Sequence, residues 1–336
     1  MTKFTCIAAA VLATAIVSLG GAQAKDFYKM STISLPTAFA IHTTFAKVVQ
    51  KYNPEIEIQV NATGKATRHA LDAARGKTDL LMGAPALHHL MSKGKKMFAK
   101  VKNAKSLAHN LRAVFNYRLG FYQFGVFESS GIKTMADLKG KRVFLGPPAG
   151  VQRIVAGSFV KAITGLKPGK DYKVVKLGFG PAMQAFQDRQ LDVLVASSNP
   201  PAANFVQAAL TNKIRFLGAS DSDWMKPGMK KLMRIPGRVR GQFPADVYGK
   251  NQANKRPIQT VGAWVGLVTR KGMDEEVIYK MTKTFWEHID EMYGVASWAK
   301  DALSLDKAFT QMNMKLHPGA LRYYKEKGLK IPPNVM

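Results

Sequence analysis

Residue patterns that carry covalent chemistry are missing from this sequence. Gly76-Lys77-Thr78 is not a phosphate-binding loop, because Leu71 stands where that loop requires its first glycine. Gly178-Phe179-Gly180 departs from a dinucleotide-binding motif at Met183. The seven histidines show no metal-binding spacing, and no GxSxG elbow is present. We therefore expect no catalytic residues, no metal and no cofactor, and a binding protein rather than an enzyme.

Residues that could hold an anion stand where predicted strands end and helices begin. The Thr37 hydroxyl could cap the first helix or hold a carboxylate, and Thr63 and Gly64 offer backbone donors before the next helix. Gln152 and Arg153 fall in the first turn of a helix after a Pro/Gly loop. Because Arg153 is unfavourable at the positive end of a helix dipole, we expect a carboxylate to clasp it, unless it is simply exposed.

Further candidates for a binding site are small polar and aromatic residues at similar junctions. Ser197 and Asn199 follow a buried strand and could donate to a solute or cap the next helix. Phe39, Phe179 and Trp264 could pack on the carbon chain of a solute, or belong to the core. These predicted contacts complete the candidate ligand-binding set.

Strand-like and helical patterns alternate along the chain and would position these residues. The predicted strands are Tyr28–Ser34, Glu55–Val60, Asp79–Gly83, Arg142–Leu145, Lys173–Lys176, Leu191–Ala196 and Ile214–Leu217. The predicted helices between them are Ala38–Lys51, Ala66–Arg75, Gln152–Thr164, Ala182–Asp188 and Ala202–Leu210. Repeated βα units predict mostly parallel sheets, with ligands at the carboxyl ends of the strands.

Two segments, Ala113–Glu128 and Thr260–Arg270, break the alternation and bracket a middle block. We predict an α/β fold of two lobes, each a mostly parallel sheet flanked by helices, joined by these segments as a two-segment hinge. Lobe I would comprise residues 25–124 and 265–336, and lobe II residues 125–264. A long helix, Asp274–Tyr293, and a last helix, Pro318–Lys327, would return to lobe I.

Two segments outside the βα units, and one glycine between a predicted helix and strand, have predicted roles of their own. Lys93–Lys105 and Arg234–Arg256 have the composition of charged surface loops. Gly76 is predicted to end a helix in the left-handed conformation.

The first residues have the layout of an export signal. Lys3 precedes the apolar run Phe4–Gly21, and the small residues Ala22-Gln23-Ala24 follow. We predict cleavage after Ala24 and a periplasmic protein, the alternative being an uncleaved membrane anchor. Cys6 is the only cysteine and lies in this signal, which excludes disulfides and thiol chemistry in the mature chain.

The charge balance is strongly basic, with 50 Lys and Arg against 22 Asp and Glu and a formal net charge of +28. Such an excess favours anionic partners but does not choose among solutes, lipid head groups and nucleic acid. No nucleic-acid-binding module is recognisable, so we expect no specific nucleic-acid partner and a monomeric protein.

Four stretches resemble the TAXI-type solute receptors of TRAP transporters, a branch of the type II periplasmic binding-protein fold. They are Asn61–Gly64, Met135–Val143 running into Gly146-Pro147-Pro148, Thr260–Trp264 with Val268–Arg270, and Leu316–Ala320 with Arg322–Gly328. The last two stretches are the more specific to this branch. The resemblance covers nearly all of the chain after residue 24.

The resemblance implies a receptor that binds an organic acid or amino acid between its lobes and delivers it to the membrane subunits of an ion-gradient-driven TRAP transporter. Two departures affect the pocket: Ser34–Phe39 replaces a glycine-rich loop, and Ala84-Pro85-Ala86 replaces small polar residues. One wall would then be bulkier and less polar, which puts the usual amino-acid ligand in doubt. The alternatives are an orphan sensory or scavenging receptor and an enzyme on the same fold.

Overall fold

A computed structural model of the chain describes residues 25–63, 65–148 and 150–336. The predicted export signal, residues 1–24, and the predicted ligand contact Gly64 lie outside the described residues. Within the described ranges, no helix combines the length and the apolar character that crossing a membrane requires.

Strands and helices alternate over both parts of the chain where the sequence predicts βα units. The strands are β1 (Asp26–Ser31), β2 (Ile56–Asn61), β3 (Leu80–Gly83), β4 (Leu111–Phe127), β5 (Arg142–Phe144), β6 (Lys173–Val174), β7 (Val193–Ser198), β8 (Ile214–Leu217), β9 (Arg238–Phe243) and β10 (Ile258–Arg270). The helices are α1 (Pro36–Tyr52), α2 (Ala66–Ala74), α3 (Pro85–Ser92), α4 (Ala104–Ala108), α5 (Val151–Thr164), α6 (Phe179–Gln187), α7 (Ala203–Thr211), α8 (Asp221–Met225), α9 (Pro227–Met233), α10 (Glu275–Glu287), α11 (Asp290–Tyr293), α12 (Ala299–Ala302) and α13 (Pro318–Glu326). The predicted βα order is confirmed.

The strands form one mixed sheet in the order β2-β1-β3-β10-β4-β7-β5-β6, with β8 paired to β4 and β9 to β10. β1, β2 and β3 are parallel, and so are β5, β6 and β7. The long strands β4 and β10 run antiparallel between these two groups. The predicted α/β class, with two mostly parallel groups joined by two long segments, is therefore confirmed. The predicted lobe boundaries, 124/125 and 264/265, fall inside β4 and β10.

The structure differs from the sequence prediction most in the segment Arg234–Arg256. It contains β9, which pairs antiparallel with residues Ile258–Ala263 of β10. β9 carries few apolar residues, so its strand conformation depends on this distant partner rather than on local propensity. The predicted surface loop Lys93–Lys105 also departs from expectation, because Phe98 within it is fully buried.

Helix ends account for the remaining differences. Gly76 has a φ of +77° and follows α2, as its predicted role at a helix end requires. The single long helix predicted over Asp274–Tyr293 is instead two helices, α10 and α11, with His288 as the residue that follows α10.

Aromatic side chains hold the helices against the sheet. Phe45 of α1 packs on Phe285 of α10 with ring centroids 5.1 Å apart, and Phe285 stacks on Phe115 of β4 at 5.3 Å. Around β8 and β9, Phe216 packs on Phe243 at 5.4 Å. Each such aromatic pair contributes about 0.5–1.5 kcal/mol beyond the burial of its area. The first two contacts join α1 and α10 to β4, and the third joins β8 to β9.

His42 of α1 is a fully buried titratable group in this core. Its Nδ1 lies 2.6 Å from the Thr32 hydroxyl, and its Nε2 lies 3.4 Å from the Tyr117 hydroxyl. Burial lowers the pKa of His42 to about 3, because the charged imidazolium loses its hydration there. His42 is therefore neutral in the folded protein.

Acidification from pH 7.5 to pH 5 is expected to cost roughly 2 kcal/mol of unfolding free energy through His42. Its pKa is lower in the folded protein than the ordinary 6.5, so the unfolded chain binds the proton more tightly. The stabilisation is complete above pH 6.5 and is lost as the pH falls toward 3. Urea titrations at both pH values should show a smaller loss for His42→Gln than for the wild type, and equal losses would contradict this.

Candidate functional site

A cavity of about 80 Å³ lies between the two parallel strand groups, against the crossing strands β4 and β10. The described residues that line it are Ile33, Leu35, Lys65, Ala66, Thr67, Met82, Ala84, Leu87, Leu119, Tyr122, Pro147, Pro148, Gly150, Val151, Gln152, Phe179, Ser197, Arg238, Ala263 and Val265. The volume corresponds to roughly five to eight water-sized groups. It therefore suits a small organic molecule.

Five helices begin at the wall of this cavity. The residues that precede α1, α2, α3, α5 and α6 are Leu35, Lys65, Ala84, Gly150 and Gly178, and none of them caps its helix with a side chain. The first turn of a helix leaves backbone N–H groups without intrahelical partners and carries the positive end of the helix dipole. The positive ends of these helices therefore favour a negatively charged group at the cavity wall.

Arg238, the first residue of β9, places a guanidinium at this cavity. Its side chain is buried, with 4% exposure, and its Nη1 donates to the Tyr122 hydroxyl at 2.9 Å. Its Nε has no hydrogen-bond partner, and no carboxylate among the described residues lies within ion-pairing distance of 4.0 Å. Burying a charge without a counterion costs free energy. An anion from outside the chain that paired with Arg238 would remove this cost.

Ser197 and Gln152 add two further unpaired polar atoms to the same cavity. Ser197 is 1% exposed and its Oγ has no partner. The Gln152 Nε2 donates to the Val195 carbonyl at 2.9 Å and to the Leu145 carbonyl at 3.4 Å, which fixes the amide orientation. The unpaired Oε1 can then only accept, so it is matched to a hydroxyl or amino group.

Tyr122 of β4 completes the polar part of the wall. Its hydroxyl oxygen accepts from Arg238, and within the described part of the chain its own hydrogen has no acceptor. Burial raises the pKa of Tyr122, while the neighbouring Arg238 lowers it to a smaller extent. The phenol therefore stays neutral and can donate. None of the described lining residues is acidic, whereas Lys65 and Arg238 are basic.

The structure brings three of the sequence-predicted contacts, Gln152, Ser197 and Phe179, to this cavity. Arg153 is not among the lining residues. It lines a separate groove with Gly157 and Lys161 on another face of α5. Each residue on a helix is turned about 100° from the one before it, and on α5 Val151 and Gln152 face the cavity while Arg153 faces this groove.

Thr37 and Asn199 meet each other instead of facing the cavity. The Asn199 backbone N–H donates to the Thr37 hydroxyl at 3.0 Å, and that hydroxyl lies 3.3 Å from Ser198 Oγ. The Asn199 side chain also accepts from Arg118 Nε at 3.0 Å. These buried contacts tie the start of α1 to the end of β7.

The remaining predicted contacts also lie outside the wall of the cavity. Thr63 is exposed and donates to Asn61 Oδ1, and Phe39 is 45% exposed. Trp264 is buried, but it lies between Ala263 and Val265, which line the cavity, so the alternation of a strand turns it to the other face.

Arg238, Tyr122 and Lys65 are the site residues that sequence reasoning missed. The signal for Arg238 is the turn Pro236-Gly237 before a short polar strand. Gly237 has a φ of +79°, which favours glycine, and a Cβ there would lie 3.0 Å from the Trp264 carbonyl oxygen. The turn at Gly237 leads the chain into β9, where Arg238 pairs with Ala263 of β10.

Comparisons with known proteins define the class of this chain. The fold, a mixed sheet with flanking helices, matches that of periplasmic binding proteins. Residues 36–328 match the model of the NMT1-like family, a periplasmic solute-binding protein family, and the chain belongs to that family.

Several solved structures are similar in fold. A protein from Bordetella bronchiseptica RB50 matches with a TM-score of 0.50 at 15% identity, covering 93% of this chain and 85% of that chain. The periplasmic aliphatic sulphonate binding protein SsuA from Escherichia coli matches at 0.43 and 14% identity, with 92% and 90% coverage. A TRAP periplasmic solute binding protein from Sulfitobacter sp. NAS-14.1, with bound β-D-galacturonate, matches at 0.47 and 10% identity, with 91% and 88% coverage. At such identities the likeness is one of fold.

Proposed function

We propose that this protein is a TAXI-type periplasmic receptor that captures a small organic anion, a carboxylate or an amino acid, and delivers it to an ion-gradient-driven TRAP transporter. The observation that carries the proposal is Arg238, a buried guanidinium without a carboxylate partner among the described residues. A solute anion would supply that partner. The proposed export signal, cleaved after Ala24, would bring the protein to the periplasm.

The proposed ligand has an anionic group beside a hydrogen-bond donor. Its carboxylate would accept from Arg238, Ser197 and Tyr122 near the uncapped helix starts. Its hydroxyl or amino group would donate to the unpaired Gln152 Oε1. A 2-hydroxy acid or an amino acid has both groups on adjacent atoms.

The proposed mechanism is hinge closure between lobe I (residues 25–124 and 265–336) and lobe II (residues 125–264). The cavity takes Leu35 and Lys65 from one lobe and Gln152, Ser197 and Arg238 from the other. A solute held by one lobe gains the contacts of the other only on closure, so it shifts the equilibrium toward the closed form. The membrane partner would then recognise the closed form.

Lactate is expected to bind and lactamide, its neutral counterpart of the same shape, is not. Isothermal titration calorimetry measures both, and at a concentration of one hundred times the dissociation constant lactate should raise the unfolding free energy by about 2.7 kcal/mol. Propanoate, which lacks the 2-hydroxyl, should bind more weakly than lactate because it leaves Gln152 Oε1 unpaired. Equal binding of lactate and lactamide would overturn the proposed anion site.

Coupling to a transporter needs a separate measurement. Vesicles that contain the cognate membrane subunits should accumulate the solute only with this receptor and an ion gradient, without ATP. Uptake that requires ATP, or that is independent of the receptor, would contradict the TRAP assignment and favour a sensory or scavenging role.

A further inference from the structure

A second chamber lies directly beside the anion cavity. Its volume is about 220 Å³, nearly three times that of the cavity. Leu35 and Phe179 line both spaces, so the two share one wall. The chamber is thus adjacent to the proposed binding site.

The lining of this chamber is mostly apolar. Phe144, Leu194 and Ala196 are each no more than 2% exposed, and Met183 of α6 lines it as well. Asn204 is a polar exception, and its Oδ1 is buried without a partner. An apolar space next to an anion site lacks the hydrogen-bonding groups that a second anion would need.

Phe179 is the residue that separates the two spaces. It is half-buried and packs edge-on against Phe144 with ring centroids 6.0 Å apart. A half-buried aromatic ring at the start of a helix can change rotamer at modest cost. Its ring would then lie between the anionic head of a bound solute and its apolar tail.

We infer that the chamber beside Phe179 receives the apolar chain of the solute whose anionic head lies at Arg238. The inference rests on the proposed function and narrows the ligand to an organic anion that carries an aliphatic tail. Its single occupant is the tail of the bound solute, because the chamber adjoins the cavity at Leu35 and Phe179 and its lining is mostly apolar.

The test is a calorimetric series of 2-hydroxy acids from lactate to 2-hydroxyhexanoate, measured on the wild-type protein. Affinity should rise about fourfold for each methylene group that enters the chamber. Gly180→Leu should remove the rise while leaving lactate affinity unchanged. Gly180 lines only the chamber, and a Cβ there meets no atom within 4 Å.

Gly178→Leu is the matched control, because Gly178 precedes the same helix but lines neither space, and its Cβ would lie 3.8 Å from Pro181. A rise in the wild type and in Gly178→Leu, lost in Gly180→Leu, supports the inference. Lactate binding with no rise along the series overturns it and leaves the proposed function standing. An equal rise in both glycine variants also overturns it. If no 2-hydroxy acid or amino acid binds, the proposed function fails and the inference with it.

Discussion

Arg238→Gln is expected to weaken binding of the solute by about 2–5 kcal/mol, roughly 30- to 4,000-fold. The guanidinium is buried, donates to Tyr122 and lines the same cavity as the unpaired Ser197 hydroxyl. Removing it deprives the anion of its principal charge partner in a desolvated site. Calorimetry with lactate, or with the best solute of a screen, measures the loss.

The same variant should keep the unliganded protein stable to within about 1 kcal/mol, because the wild type already bears the cost of an uncompensated buried charge. Urea titration without solute checks this. Binding to the generally basic surface would survive Arg238→Gln, since the change removes only one of 50 basic groups.

Arg153→Gln is the matched control, because it removes an identical charge from the groove on the other face of α5. Its affinity should stay within twofold of the wild type. If Arg153→Gln lost affinity and Arg238→Gln did not, the assignment of the anion partner to Arg238 would have to be withdrawn.

Gly120→Ala is expected to lower the free energy of unfolding by about 3–5 kcal/mol. Gly120 lies in β4 with a φ of +128°. A residue with a side chain rarely adopts this backbone conformation, which costs it about 1–3 kcal/mol. An added Cβ would also lie 2.0 Å from the Ser198 carbonyl carbon, so the backbones of β4 and β7 would have to separate. That separation would disturb the Thr37–Asn199 contact that ties α1 to β7.

Gly131→Ala separates the two causes in a denaturant titration. Gly131 has a φ of +71°, but a Cβ there meets no atom within 4 Å. This variant should therefore lose only the backbone component, about 1 kcal/mol. Similar losses in both glycine variants would show that the close approach to Ser198 contributes nothing.

Much of the fold was predictable from the sequence because its determinants are local. The strands and helices of the βα units follow from hydrophobic periodicity and from glycine and proline positions. The two long strands β4 and β10 were recognisable because they interrupt that order. β9 was not, since its polar residues acquire strand conformation only by pairing with β10.

The sequence predicted where the candidate site lies in the fold better than it predicted which residues line it. Strand ends and helix starts led to the prediction of Gln152, Ser197 and Phe179, and these three residues line one cavity in the structure. To choose between Gln152 and Arg153, one must know how α5 is rotated about its axis. Successive residues on a helix are turned by about 100°, so an error of one residue changes the face. Thr37 lies at a helix start as predicted, but its hydroxyl accepts from the Asn199 backbone N–H rather than facing the cavity.

Neighbouring residues were enough to predict the α/β order, to show that known catalytic motifs are missing and to predict the general position of an anion site. Tertiary packing was needed to show that Arg238 is buried and that an apolar chamber adjoins the cavity at Phe179. Burial is a property of what surrounds a side chain, and the surroundings of Arg238 come from β4, β9 and β10, which lie more than a hundred residues apart along the chain at their extremes. No local pattern records such an arrangement, because it arises from packing between distant segments.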